Sequence, residues 1–313
     1  MPALETELNE KSGLGRGVLL LVLIALAWGS TFMFTKIAVA SVPPLTLAAG
    51  RITVAALALL AYVSFRGHRL PVLRAQWASA CVFAVFLLVL PIVLLSWAQQ
   101  FIDTALAGIL VASLPLITLA LAHVFVADER LTIGRLFGVL FGFAGVIALI
   151  GPEALKGLGL QLMAQLALLG GPLSYAIGMI VARRVPPMAP SVRAASVALV
   201  GCAILIPVTL IVDRPWTLLP TPAAMASTVY LGLVPTAMTM ILSFELIATR
   251  GATFMSLTNY LVPCTAVSLG WLFLGETISA HMLGAMAAIL GGIAVTTLAQ
   301  PRSVHGAAPP RAR

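Results

Sequence analysis

Three charged side chains stand inside long apolar stretches of this chain: Lys36, Arg51 and Glu245. An ion at such a place is costly unless something of opposite charge or a polar group meets it. Arg51 and Lys36 can therefore offer a positive site to a carboxylate or phosphate, or each can snorkel to the nearer surface. Glu245, five residues before Arg250, can carry a coupling proton, or it can pair locally or reach water. Around these charges stand Trp28, Ser30, Tyr175, Asn259 and Tyr260, suited to stacking on a small solute or hydrogen-bonding it. Trp97 and Gln99 lie near the end of an apolar stretch, where an interfacial aromatic belt is the plain reading. All of these are groups for holding a molecule. Groups for breaking bonds are missing: there is no His-Glu-x-x-His, no Gly-x-Ser-x-Gly and no Gly-rich loop with a Lys, and the 4 His are not at ligand spacing. An enzyme, an ATP-driven pump, a metal site and a cofactor are accordingly not expected.

The elements that must position these residues follow from composition. The chain has 313 residues, 61% hydrophobic and only 9% charged, where a soluble domain carries about 25% Asp, Glu, Lys and Arg. An ordinary soluble enzyme and a disordered or nucleic-acid-binding chain are excluded; the net charge of +8 is spread in ones and twos with no basic block. A membrane-spanning helix needs about 20 apolar residues. Ten windows qualify, near 17–38, 44–65, 76–98, 104–126, 133–150, 160–182, 191–212, 223–248, 252–274 and 279–298. Barrel strands would be about half that length and alternate in polarity. The expected fold is therefore an all-α polytopic membrane protein, with the first apolar run kept as a helix rather than cleaved as a signal peptide. Cys81, Cys202 and Cys264 all fall within apolar runs and are expected to be small buried hydrophobes.

Loop charge sets an orientation. With the N-terminus in the cytoplasm and ten crossings, 14 of the 18 Lys and Arg fall on the cytoplasmic side, the arrangement that membrane insertion favours. Both termini are then cytoplasmic, in a bacterial inner membrane. Expected boundaries are a cytoplasmic tail over 1–16, a first repeat over 17–150, a second over 151–299, and a disordered tail over 300–313.

The repeat itself is read from recurring residues. Val42-Pro43-Pro44 after span one returns as Val185-Pro186-Pro187 after span six. Pro91 and Pro115 in spans three and four match Pro235 and Pro263 in spans eight and nine. Glu129 ends span four and Glu276 ends span nine. Gly138, Gly142 and Gly145 then answer to Gly284, Ala288 and Gly291, a small-residue face for close helix packing within the bundle or between subunits. Five spans per repeat is an odd number, so the second copy enters from the opposite side. Two inverted five-helix repeats are the signature of secondary transporters, whose halves exchange conformations about an in-plane axis. The four prolines each lack an N–H and loosen a helix, freeing the carbonyls of Leu87, Val111, Leu231 and Asn259. They either line and bend the pathway or only curve their helices. Glu129 and Glu276 are structural or gating groups, suited to accepting backbone N–H bonds at the start of the next helix.

Trp28-Gly29-Ser30-Thr31-Phe32, Pro43-Pro44-Leu45-Thr46, Arg51 seven residues on, and the two helix-ending glutamates resemble the drug/metabolite transporter superfamily, and within it the ten-helix EamA family of two EamA repeats. The resemblance spans residues 17–298. It implies transport of a small solute, most often outward; members carry amino acids, other metabolites or drugs. Here a small metabolite, an amino acid or similar zwitterion or anion, is expected to move by alternating access, with drug efflux the alternative within the fold and an intramembrane enzyme or scaffold the alternative outside it. The expected partners are that solute and the lipid bilayer, with no nucleic acid, the chain acting as a monomer or homodimer. Two departures stand out. The second repeat has Gly171-Pro172-Leu173-Ser174-Tyr175 in place of the Trp-Gly-Ser-Thr motif, and Glu245 occupies a place where the family more usually has an uncharged residue.

Overall fold

In the computed structural model, residues 2–125, 132–154, 159–182 and 188–298 are described. Among them nine helices are long and apolar enough to cross a membrane: α1 Gly15–Val39, α2 Pro44–Phe65, α3 Arg74–Ala98, α4 Thr104–Phe125, α5 Ile133–Ile150, α6 Leu160–Val181, α7 Pro190–Val212, α8 Pro222–Gly251 and α10 Ala280–Leu298. Between the last two lies α9, the shorter apolar helix Thr258–Leu274. Their surfaces expose large apolar side chains such as Leu57, Phe137, Ile147 and Ile211, as a lipid-facing surface must.

Local chemistry sets the helix starts. Pro44, Pro190 and Pro222 each stand in the first turn, where a missing N–H costs nothing. Thr221 caps α8 by accepting from the Ala224 N–H at 3.2 Å. α9 starts six residues later than the apolar window suggests. Gly251 takes φ 84 and ψ 166, a backbone conformation open to glycine; residues 252–255 are helical beyond this kink, and a turn at Ser256 and Leu257 separates them from α9. The segment before Gly15 continues α1, whose helix starts at Pro2.

Call the end of the bundle bearing Val39 upper and the end bearing Arg16 lower. α1 rises from lower to upper. Its upper end meets the α3–α4 connection through Lys36 and Ile102, and the start of α8 through Ser41 and Thr221. Asp213 after α7 meets Thr46 at the start of α2, and Glu276 after α9 meets the start of α4, so these ends are upper too. α6 lies antiparallel to α3: Gly178 faces Leu87 while Gly170 faces Leu94. The second five-helix set therefore enters from above where the first enters from below.

The packing repeats the same exchange. α1 packs on α9 and α8, and its counterpart α6 packs on α4 and α3. α3 against α7 matches α8 against α2, while the pairs α2–α7, α4–α9 and α5–α10 map onto themselves. The architecture is ten helices in two inverted five-helix repeats.

The glycine face joins α5 to α10 inside one chain. A β-carbon on Gly138 would lie 2.7 Å from the Gly292 carbonyl oxygen, so any larger side chain there forces the two helices apart. The α10 side of this seam is Gly292 with Ala285 and Ala288; Gly284 faces open space and Gly291 meets Phe141, a shift of register from the face expected. Cys81 and Cys264 are exposed on the bundle surface, not buried.

Candidate functional site

Pro91 and Pro235 sit at matching widened turns. In α3 the segment Val85–Val89 is a π-helix, and the Leu90 N–H reaches back five residues to the Val85 carbonyl. Continuing that register, Pro91 would bond Phe86, and it has no N–H to do so. The Ser174 hydroxyl of α6 donates to the Phe86 carbonyl at 2.8 Å instead. The freed carbonyl is thus Phe86, one residue before the Leu87 that α-helical spacing suggests.

In α8 the π segment is Leu233–Met238, with Pro235 inside it. The Leu231 carbonyl, left short by Pro235, accepts from the Thr236 hydroxyl at 2.7 Å. The same Thr236 oxygen accepts from Arg51 Nε at 2.9 Å. One turn on, the Thr239 hydroxyl donates to the Pro235 carbonyl at 2.9 Å and accepts from the Trp28 indole N–H at 3.0 Å. A hydroxyl carries one proton, so each threonine, having donated to its own backbone, can only accept from the side chain that reaches it. A proline-loosened turn in α8 thereby holds one side chain from α1 and one from α2.

Arg51 is 7% exposed and stands about 10 Å below the start of α2 at 1.5 Å per residue. Among the described residues no carboxylate pairs with it, and its bond to Thr236 leaves Nη1 and Nη2 without a protein acceptor. The Tyr175 side chain of α6 lies within electrostatic reach of the guanidinium. On α1, Ser30 donates to the Ala27 carbonyl at 2.8 Å, so the Tyr230 hydroxyl, 2.8 Å away, is the donor to Ser30. The Tyr230 ring lies against Phe34 with centroids 4.0 Å apart. The site is a cation with a free edge, set among hydroxyls and aromatic rings from α1, α2, α6 and α8. Its chemistry suits a carboxylate attached to an apolar or aromatic body.

The other sequence candidates stand elsewhere. Lys36 donates to the Ile102 carbonyl at 2.7 Å and lies 3.6 Å from Asp103, tying α1 to the upper α3–α4 connection. Glu276 accepts from the Thr104 and Ala105 N–H groups at 2.7 and 2.8 Å. It therefore caps α4, not the helix that follows it in sequence. Asp213 does the same for α2, accepting from both the Thr46 N–H and hydroxyl at 2.9 and 2.7 Å. Glu245 pairs with Arg16 at the lower end, 229 positions away rather than with its neighbour Arg250. Tyr260 bonds Thr297 of α10 at 3.3 Å, and the neighbouring Asn259 N–H closes a turn on Ser256; neither is the hydrogen-bond partner of Arg51. Pro115 follows a break in α4 at Ala112–Ser113, whereas α9 runs through Pro263 unbroken, so these two are not structural equivalents. Glu129 lies outside the described residues.

Thr236, Thr239, Tyr230, Phe34 and Asp213 were not read from the sequence. The signal for three of them was present: Tyr230, Thr236 and Thr239 all flank Pro235 within about two turns, hydroxyls gathered at a membrane-depth proline.

Comparison with known proteins is consistent with this geometry. The chain matches the EamA-like transporter family twice, over residues 15–151 and 162–298. It is 28% identical over 271 residues to the uncharacterized inner membrane transporter YedA of Escherichia coli strain K12, covering 87% of each chain. It is 29% identical over 266 residues to a probable terminal-alkyne amino-acid exporter of Streptantibioticus cattleyicolor, covering 84% of this chain and 87% of that one. A solved crystal structure shares the fold with a TM-score of 0.63 at 22% identity, over 92% of this chain and 99% of the other. Two matched repeats, ten apolar helices and a polar centre between them place the chain in the EamA-like transporter family, as a multi-pass membrane transporter.

Proposed function

We propose that this transporter moves a small carboxylate-bearing metabolite, an amino acid or a related anion, outward across a bacterial inner membrane by alternating access. One observation carries the reading: Arg51 is buried and its guanidinium edge faces no carboxylate among the described residues. A charge so placed is maintained against a cost of about 3 kcal/mol at mid-helix, and a solute carboxylate is the group that would offset it bidentately. The amino-acid exporter among the relatives supports the solute class. Loop charge supports both termini in the cytoplasm, which makes the upper face external. The repeats over 17–150 and 151–299 are the two moving bodies, and the widened turns at Pro91 and Pro235 are where α3 and α8 bend.

The test is flux into proteoliposomes holding the purified chain, using the standard L-amino acids, simple carboxylic acids and the matching decarboxylated amines, with and without a pH gradient. Saturable movement of one or more carboxylates, with their decarboxylated amines excluded, is expected. Movement of amines and not of acids would overturn the reading. A flux unaffected by the gradient would eliminate Glu245 as a coupling carboxylate.

A further inference from the structure

We infer that Thr236 is the positioning residue of the carboxylate site, acting through Arg51; the inference rests on the proposed function and deepens it. Arg51 is a long side chain with four rotatable bonds, and alone it would spread its charge over many orientations. Its Nε is held at 2.9 Å by Thr236, and Thr236 is itself held at 2.7 Å by the Leu231 carbonyl that Pro235 leaves short of a partner. The hydroxyl proton is committed to Leu231, so the oxygen can only accept, and the acceptor it presents is fixed in space. Binding a guanidinium at Nε from one side leaves its Nη1 and Nη2 on the other side. Those two donors lie in one plane with the spacing that a carboxylate matches.

The anchor is on α8, the helix that also holds Trp28 of α1 through Thr239. The π turn around Pro235 is therefore part of the recognition apparatus as well as a bend. In α-helical register the donor to Leu231 would be Pro235, which has no N–H, so that carbonyl is left to hold the Thr236 hydroxyl in its fixed orientation. A substituent that keeps the shape of threonine but lacks the hydroxyl should leave the fold intact and loosen Arg51. The site would then keep its charge and lose its aim.

The experiment uses the full chain in lipid nanodiscs with sodium benzoate as probe, a carboxylate on an aromatic body. Binding is read by isothermal titration at constant ionic strength, with melting temperature measured in parallel on the unliganded protein. For Thr236→Val the benzoate Kd should rise about tenfold, the scale of one hydrogen bond to a charged group. Thr236→Ser, which restores the hydroxyl, should return within about twofold of wild type on the same scale. Arg51→Gln should abolish binding. If Thr236→Val binds benzoate as wild type does while Arg51→Gln does not, the positioning role is overturned and the carboxylate site stands. If Thr236→Val lowers the melting temperature with Kd unchanged, Thr236 is merely structural and the inference again fails. If benzoate does not bind, or Arg51→Gln binds it normally, the carboxylate site fails and takes this inference with it.

Discussion

Replacing Arg51 by Gln should make the unliganded protein more stable, not less. The arginine is 7% exposed and pairs with no carboxylate among the described residues, so the protein bears the cost of a charge at depth. That cost is about 3 kcal/mol for an arginine at mid-helix on insertion scales. The compensating bond to Thr236 returns about 1.5 kcal/mol, the lower range for a hydrogen bond to a charged group. Glutamine is shorter, carries no charge and can still offer an amide N–H toward Thr236. Even with the Thr236 bond counted as lost, the balance is a stabilisation of about 1.5 kcal/mol, or a rise of roughly 2–4 °C in melting temperature. Thermal unfolding of the detergent-purified chain, followed by tryptophan fluorescence, reads this directly. Such an exchange of stability for function is expected where a site keeps an uncompensated group ready for its ligand. A destabilisation of more than about 2 kcal/mol would refute the reasoning, because it would show Arg51 satisfying the resting structure.

Three further outcomes follow from the geometry. Gly138→Leu would drive a side chain into the Gly292 backbone and should separate α5 from α10, costing about 3 kcal/mol or more and appearing as loss of monodisperse protein on size exclusion. Glu276→Ala removes two charge-assisted caps from the start of α4 and should cost about 2 kcal/mol in chemical unfolding, whereas Glu276→Gln should cost less because its carbonyl keeps one bond. Glu245→Gln breaks the pair with Arg16, whose side chain is 72% exposed, so the melting temperature should move by less than about 1 °C, in line with surface pairs.

The fold was legible because a bilayer imposes one simple requirement on every span. Ten apolar stretches, loop charge and recurring residues such as Pro91 and Pro235 gave helix number, repeat and inversion without reference to any contact. The site was legible only in part. Arg51 and Trp28 could be singled out, since a charge and a polar aromatic at membrane depth stand out against their surroundings. The Arg51 partner Thr236, though it stands beside Pro235, was not, because a threonine in a membrane helix ordinarily serves its own backbone four residues back, as Thr228 and Thr265 do here. Only the π turn around Pro235 re-aims that hydroxyl, and a widened turn has no signature in composition. Lys36 and Glu276 kept their partners hidden for a related reason. Each is committed to the backbone of a helix end distant in sequence, at positions 102 and 104–105, which periodicity within one helix cannot reveal. On α10, Ala288 packs in the seam as expected, while Gly284 and Gly291 give way to Ala285 and Gly292 one position on, because the spacing of the first repeat was carried over.

The central claim is that Arg51 receives the solute's carboxylate inside a transporter. Counterflow in proteoliposomes, with wild type and Arg51→Gln reconstituted at equal density and driven by the same carboxylate solute, tests it most directly. Wild type should show saturable counterflow and the variant a loss of at least about a hundredfold, the scale of a bidentate charged contact. Equal counterflow from the two proteins would contradict it.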